Sequence, residues 1–304
     1  VSEATTVADT GKELEEYGKI HRVAWSRNPL DPRNFLQAPQ KIREVVAREN
    51  YDIVHVHSPI PGFVTRFALR GVKNRPPVIY TAHGFHFHRG GSAIKNKIFL
   101  TVEQLGGRWT DYLVVMNHED EQAVRKYNIV PESKLLYMPG IGVDTKKYSP
   151  ERATGEDIKK VRVELELKDN EQFLLMIAEF NPGKRHRDAL AAFAQLNRKD
   201  VFLVFAGVGP LEEEMKALAT QLGVAERVKF LGYRRDIPVL LKVASALLLP
   251  SEREGLPRAI LEALCMGTPV ISTQIRGVED LLANNCGLMT PVGDAPALKN
   301  AITQ

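Results

Sequence analysis

Hydrophobic positions in this chain fall in short buried runs separated by segments of helical spacing. Asp52–His57, Pro77–Ala82 and Tyr112–Met116 read as strands, with Gln37–Asn50, Ile60–Arg70 and Gly90–Gly107 between and around them as helices. His21–Trp25 reads as a further short strand, and Leu135–Met138 as another. The alternation resumes with helix Asp157–Glu166, strand Phe173–Ala178, a helix from Asp188, and strands at Val201–Phe205, Val228–Leu231 and Leu247–Leu249. Strands alternating with helices at this pace predict a parallel sheet covered on both faces, with ligands at the carboxyl ends of its strands. Pro139-Gly140-Ile141-Gly142-Val143-Asp144 interrupts the pattern and marks a domain junction. At 304 residues the chain is long for one core, so two domains are expected. Val1–Thr10 carries no glycine-rich loop and no strong strand, so the first domain's opening reads as truncated.

The most informative stretch runs from Leu247 to Ile271. It reads as a buried strand, a tight polar loop, a short helix and a second buried strand. Pro257 suits the first helical turn, and Gly267 suits the helix end. The N–H groups of Gly255 and Leu256 would then face outward at the positive end of a helix, a place that holds phosphate. Glu254 and Glu262 bracket that place with seven residues between them. Carboxylates beside a phosphate site make sense if they accept hydrogen bonds from sugar hydroxyls. A second anion-binding arrangement is Glu179-Phe180-Asn181-Pro182-Gly183-Lys184-Arg185-His186, a strand end and basic loop before a helix.

Composition narrows the class. Hydrophobic residues make up 44% of the chain and charged residues 26%, the balance of an ordinary globular protein. The two cysteines, Cys265 and Cys286, imply no disulfide framework and fit a reducing cytoplasm. No apolar run is long enough to span a bilayer. The net charge of +4 is concentrated between Ile53 and Thr110, where Arg66, Arg70, Lys73, Arg75, Arg89, Lys95, Lys97 and Arg108 face only Glu103. That bias fits either an anionic partner or a solvated basic face. The 90–107 segment, with lysines near its start, could lie on an anionic membrane or pack its apolar side on the core. Histidines cluster at His55, His57, His83, His86 and His88. Alternate histidines on a strand can bind a metal, but no cysteine or carboxylate cluster accompanies them. Hydrogen-bonded core histidines, with one or two lining a cleft, are the alternative. Nothing in the pattern calls for a nucleic-acid partner.

The Glu254-x7-Glu262 stretch resembles the signature of the retaining glycosyltransferase family 4, in its capsular and exopolysaccharide branch. The resemblance implies a GT-B fold: two Rossmann-like doubly wound α/β domains facing across a cleft, here residues 1–147 for the acceptor and 148–304 for the nucleotide-sugar. It implies that Glu254 holds the donor sugar and Glu262 the ribose. His83, in His83-Gly84, would contact the sugar. Lys184 would neutralise the diphosphate with Gly255, Leu256 and Pro257. Relatives usually carry Arg where this chain has Glu179, and Arg185 is the substitute. Gly207 would permit close approach of the nucleotide, and Tyr233 and Arg234 would lie by the base. Asn117 replaces the usual serine. The implied reaction is metal-independent transfer of a hexose from a UDP-sugar, best UDP-glucose, to a lipid-linked or glycan acceptor, with no cofactor. It would take place in the cytoplasm, free or peripheral at the inner membrane face. The alternatives are a catalytically silent nucleotide-sugar-binding module and a UDP-sugar epimerase of GT-B type.

Overall fold

A computed structural model describes residues 18–26, 28, 31–88 and 90–304. The described chain forms two compact units that divide between Met138 and Pro139. Gly142-Val143-Asp144 therefore belongs to the second unit.

In the first unit, β1 (Val54–His57), β2 (Val78–Ala82), β3 (Tyr112–Val115) and β4 (Leu135–Tyr137) form a parallel sheet in that order. The helices α1 (Gln37–Glu49), α2 (Pro59–Leu69), α3 (Ala93–Gly107) and α4 (His118–Tyr127) alternate with them. Val78, Tyr80, Ala82, Leu113 and Val115 are buried, as strands covered on both faces require. Two expectations are corrected here. His21–Trp25 is not a strand: only Val23 makes a bridge, because the Trp25 N–H turns back to the Val23 carbonyl at 3.0 Å. Helix α3 begins at Ala93 rather than Gly90, since the Gly90-Gly91 pair favours a turn over a helix interior.

The basic stretch is also less available than its sequence implies. Arg66 is buried, bonds Glu103 at 3.3 Å and Thr110 Oγ1 at 3.2 Å, and lies over the Tyr80 ring. Tyr80 donates to the same Glu103 carboxylate at 3.1 Å. Arg75 pairs with Asp111, and Arg70 stacks on Phe67. These cations satisfy internal partners that sequence spacing does not reveal. Arg89 lies outside the described residues.

The second unit holds six parallel strands in the order β10-β9-β8-β5-β6-β7. They are β5 (Gln172–Ile177), β6 (Val201–Ala206), β7 (Val228–Phe230), β8 (Ala246–Leu249), β9 (Val270–Thr273) and β10 (Leu288–Thr290). The helices are α5 (Gly155–Glu164), α6 (His186–Ala194), α7 (Glu212–Gln221), α8 (Ile237–Val243), α9 (Arg258–Cys265), α10 (Val278–Leu281) and α11 (Ala295–Ile302). Phe173, Leu175, Val204, Leu247 and Leu248 are among its fully buried side chains. The order brings β5, β8 and β9 side by side, so the loops leaving their carboxyl ends are neighbours.

His186 locks the base of one such loop. It is 3% exposed, and its ring stacks on Phe180 at 4.2 Å. Burial, and secondarily the charge of Lys184, lowers its pKa from 6.5 to about 4. The folded protein thus keeps this ring neutral where the unfolded chain protonates it. Stability from this residue is present above pH 6.5 and is lost as pH falls towards about 4. A shift of that size corresponds to roughly 3 kcal/mol. In urea titrations at pH 7 and pH 4.5, His186→Phe should lose less stability on acidification than the wild type, by about that amount. Equal losses would refute the assignment.

Candidate functional site

The site is assembled from loops that the sheet order makes adjacent. After β8, the chain runs from Pro250 to Pro257 before entering α9. Pro257 is the cap before that helix, not its first residue: its backbone is extended, and its carbonyl accepts the helix's first bonds from Ile260 and Leu261. At the far end Gly267 is left-handed, and the Gly267 and Thr268 N–H groups bond back to Leu264 and Ala263.

Several contacts fix the 250–257 loop, among them a bond from the Thr273 hydroxyl to the Ser251 carbonyl. The Glu252 N–H donates to the Gly183 carbonyl at 2.8 Å, joining it to the Pro182–Lys184 turn after β5. Lys184 Nζ pairs with Glu254 Oε1 at 2.6 Å. Arg276 Nε, after β9, donates to the Glu254 carbonyl at 3.2 Å. Lys184 is itself placed by Asn181, whose side chain accepts the Lys184 N–H at 3.2 Å. The expected sugar-binding carboxylate and the expected diphosphate cation thus meet directly.

Glu262 projects from α9 and is largely buried. Arg258, one helical turn earlier, bonds it at 2.9 Å. Tyr148 lies in the same groove as Glu262; burial first, then the neighbouring carboxylate, raise the Tyr148 pKa well above the phenol range. These three residues line an open groove of about 720 Å³ together with Glu179, Gly207, Tyr233 and Arg234. The Gly207 N–H donates to the Gly232 carbonyl at 2.8 Å, which ties the loops after β6 and β7 together. Tyr233 is 73% exposed. The Arg234 guanidinium is held by both Glu164 and Asp236, so its main chain is better placed than its side chain to serve a ligand.

Arg185 is not brought to this groove. Its backbone is left-handed, φ 54°, and its guanidinium is bound by Asp188 with Glu252 nearby. It lines a separate notch of about 320 Å³ with His186 and Leu211. Glu179 does lie in the groove, where it accepts from the Asn181 amide at 3.0 Å. Tyr148 is a groove residue that periodicity alone does not flag, since its partner lies far along the chain. The Arg258–Glu262 pair was legible as an i, i+4 spacing.

In the first unit His83 is exposed at the carboxyl end of β2, and its Nε2 lies 3.0 Å from His57 Nδ1. Burial, then the charge of neighbouring histidines, lowers the pKa of both rings. Asn117 caps α4 by accepting the Asp120 N–H at 2.8 Å. Asp120 in turn accepts the Phe85 N–H at 3.2 Å, fixing the turn that follows His83. Among the described residues, no group of three or more His, Cys, Asp or Glu side chains is gathered to hold a metal ion. Among them also, no helix is long and apolar enough to cross a membrane.

Residues 3–147 match the family described as Glycosyltransferase Family 4, and residues 157–304 match Glycosyl transferases group 1. EpsD of Bacillus subtilis (strain 168), a glycosyltransferase by name, is 32% identical over 282 residues, covering 91% of this chain and 73% of its own. The chain belongs to glycosyltransferase family 4. An Escherichia coli relative, UDP-Gal:alpha-D-GlcNAc-diphosphoundecaprenol alpha-1,3-galactosyltransferase, is 31% identical and covers 86% of this chain and 68% of its own. Among solved structures, Anabaena HepE in complex with UDP matches with a TM-score of 0.76 at 21% identity, over 96% of this chain and 78% of that one. The fold is GT-B, with two Rossmann-like units. Family membership makes the protein a glycosyltransferase.

Proposed function

We propose that this glycosyltransferase moves a hexose from a UDP-sugar, best UDP-glucose, to a lipid-linked or oligosaccharide acceptor in surface-polysaccharide synthesis, with retention and without a metal. The observation that carries the reading is the 2.6 Å Lys184–Glu254 pair joining the loops after β5 and β8, in the unit whose groove contains Glu262. A nucleotide-sugar presents a diphosphate between two sets of hydroxyls. Here a cation stands at one carboxylate, and a second carboxylate lies in a groove of the same unit. The E. coli relative's name specifies a UDP-sugar donor and a diphosphoundecaprenol acceptor. HepE has been solved with UDP-glucose. Both support this donor class.

In the proposed reaction Glu262, held by Arg258, accepts from the ribose hydroxyls. Gly207 allows the nucleotide close approach, and Tyr233 and the Arg234 main chain flank the base. Lys184 divides its charge between Glu254 and the diphosphate, aided by the N–H groups of Gly255 and Leu256 ahead of Pro257. Glu254 and His83 contact the sugar. The bond between the anomeric carbon and the phosphate oxygen breaks as the acceptor oxygen bonds on the same face, and the acceptor's proton passes to that departing oxygen. Arg185, committed to Asp188, is not assigned a role in this step. Residues up to 147 would serve the acceptor, and 148–304 the donor.

The α3 face of the first unit exposes Ile94, Ile98 and Leu105 beside Lys95 and Lys97. Apolar and cationic side chains in that arrangement suit peripheral attachment to an anionic inner membrane face. The reaction itself is tested by transfer from UDP-glucose to a membrane lipid extract in excess chelator. Undiminished retaining transfer is expected; abolition by the chelator and rescue by manganese would overturn the metal-independent reading.

A further inference from the structure

We propose that His57 is a positioning residue for the transfer reaction: its bond to His83 fixes the ring orientation and tautomer of the histidine that meets the donor sugar. The inference rests on the reading of His83 given above and adds a residue to it. The register of the sheet creates the contact. His57 of β1 stands opposite Thr81 of β2, and His83 follows two residues further along that strand's exit. His57 Nδ1 and His83 Nε2 are 3.0 Å apart, and the rings are 5.2 Å apart at an interplanar angle of 30°. His57 is held from the other side by His55, whose ring lies 4.2 Å away and whose Nε2 is fixed at 2.8 Å by Thr81 Oγ1.

Two neutral imidazoles joined this way must share one hydrogen between Nδ1 of one and Nε2 of the other. If His83 donates, both rings carry hydrogen on Nε2. If His57 donates, both carry it on Nδ1. In either case the two tautomers are the same, and Nδ1 of His83 is left for the ligand with a defined role as acceptor or donor. A histidine without such a partner exchanges between tautomers and meets a sugar hydroxyl correctly only part of the time. The pair therefore couples the two tautomers, through geometry that lies entirely within the first unit.

The test combines histidine-selective ¹⁵N NMR with kinetics on the full chain, using UDP-glucose as donor and a membrane lipid extract as acceptor. In the wild type, His57 and His83 should show one shared, unaveraged tautomer. His57→Leu should release His83 to averaged ¹⁵N shifts and lower kcat several-fold, in proportion to the time the ring spends in the unproductive tautomer or orientation. Affinity for UDP should stay within about twofold. His57→Asn, whose amide occupies the Nδ1 position, should recover most of the rate. Averaged His83 shifts in the wild type, or full kcat in His57→Leu, would overturn the role of His57. A locked tautomer combined with full transfer by His83→Gln would instead overturn the placement of His83 at the sugar.

Discussion

Glu254→Gln should leave UDP binding nearly intact while cutting transfer by about a hundredfold to a thousandfold. The magnitude is that of removing one preorganised polar group from a site of developing charge. The substitution keeps the size and hydrogen-bonding reach of the side chain. It removes the charge that holds Lys184 Nζ at 2.6 Å. Lys184 would then lose its anchor in the free enzyme, and the sugar would lose an acceptor for its hydroxyls. UDP should still bind through Glu262, which Arg258 holds independently of Lys184. The check is a pair of measurements, UDP affinity and kcat for hexose transfer. Unchanged turnover would remove the central assignment; lost UDP affinity would place Glu254 with the nucleotide rather than the sugar.

A second large effect is expected at a residue given no role in the proposed reaction. Gly277 follows β9 with φ 74°, and a Cβ there would stand 1.9 Å from the Gly255 carbonyl oxygen. That oxygen is main chain in the loop carrying Glu254, so the loop itself must move. Left-handed backbone costs a residue with a side chain about 1–2 kcal/mol. Overpacking adds about 1–3 kcal/mol. Gly277→Ala should therefore destabilise the protein by roughly 2–5 kcal/mol and weaken UDP-sugar binding in the surviving folded fraction. Gly267→Ala is the control. Its φ of 68° is similar, but nothing lies within 4 Å of the added carbon. It should cost only the backbone share and leave binding unchanged. Denaturant melts with parallel titrations separate the two, and equal behaviour would show that crowding at Gly255 is unimportant.

The strand and helix alternation made most of the fold legible, because parallel strands buried on both faces read as continuous apolar runs. Leu247–Leu249 and Val78–Ala82 are such runs. His21–Trp25 failed because a short apolar segment does not reveal a local turn of the Trp25 N–H. The Glu254/Glu262 spacing was legible because loop and helix are contiguous in sequence. Its partners were less so. The Lys184–Glu254 contact depends on β5 and β8 lying side by side, a property of sheet order rather than of spacing. Only the charge of Arg185 is visible in the sequence; its left-handed backbone and its bond to Asp188 are not. Arg66 counted towards a basic surface, yet it is buried against Glu103 and Tyr80. The histidine run was read as either a metal site or a hydrogen-bonded group lining a cleft, and the 3.0 Å His57–His83 bond supports hydrogen bonding.

The central claim is that this chain handles a UDP-sugar through Lys184, Glu254 and Glu262. Its most direct test is calorimetric titration with UDP-glucose, UDP-galactose, UDP-GlcNAc and GDP-mannose, each paired with a hydrolysis assay. The account predicts selective binding of one UDP-sugar, best UDP-glucose, with slow turnover in the absence of acceptor. Absence of binding by every UDP-sugar, or selective binding of GDP-mannose, would contradict it.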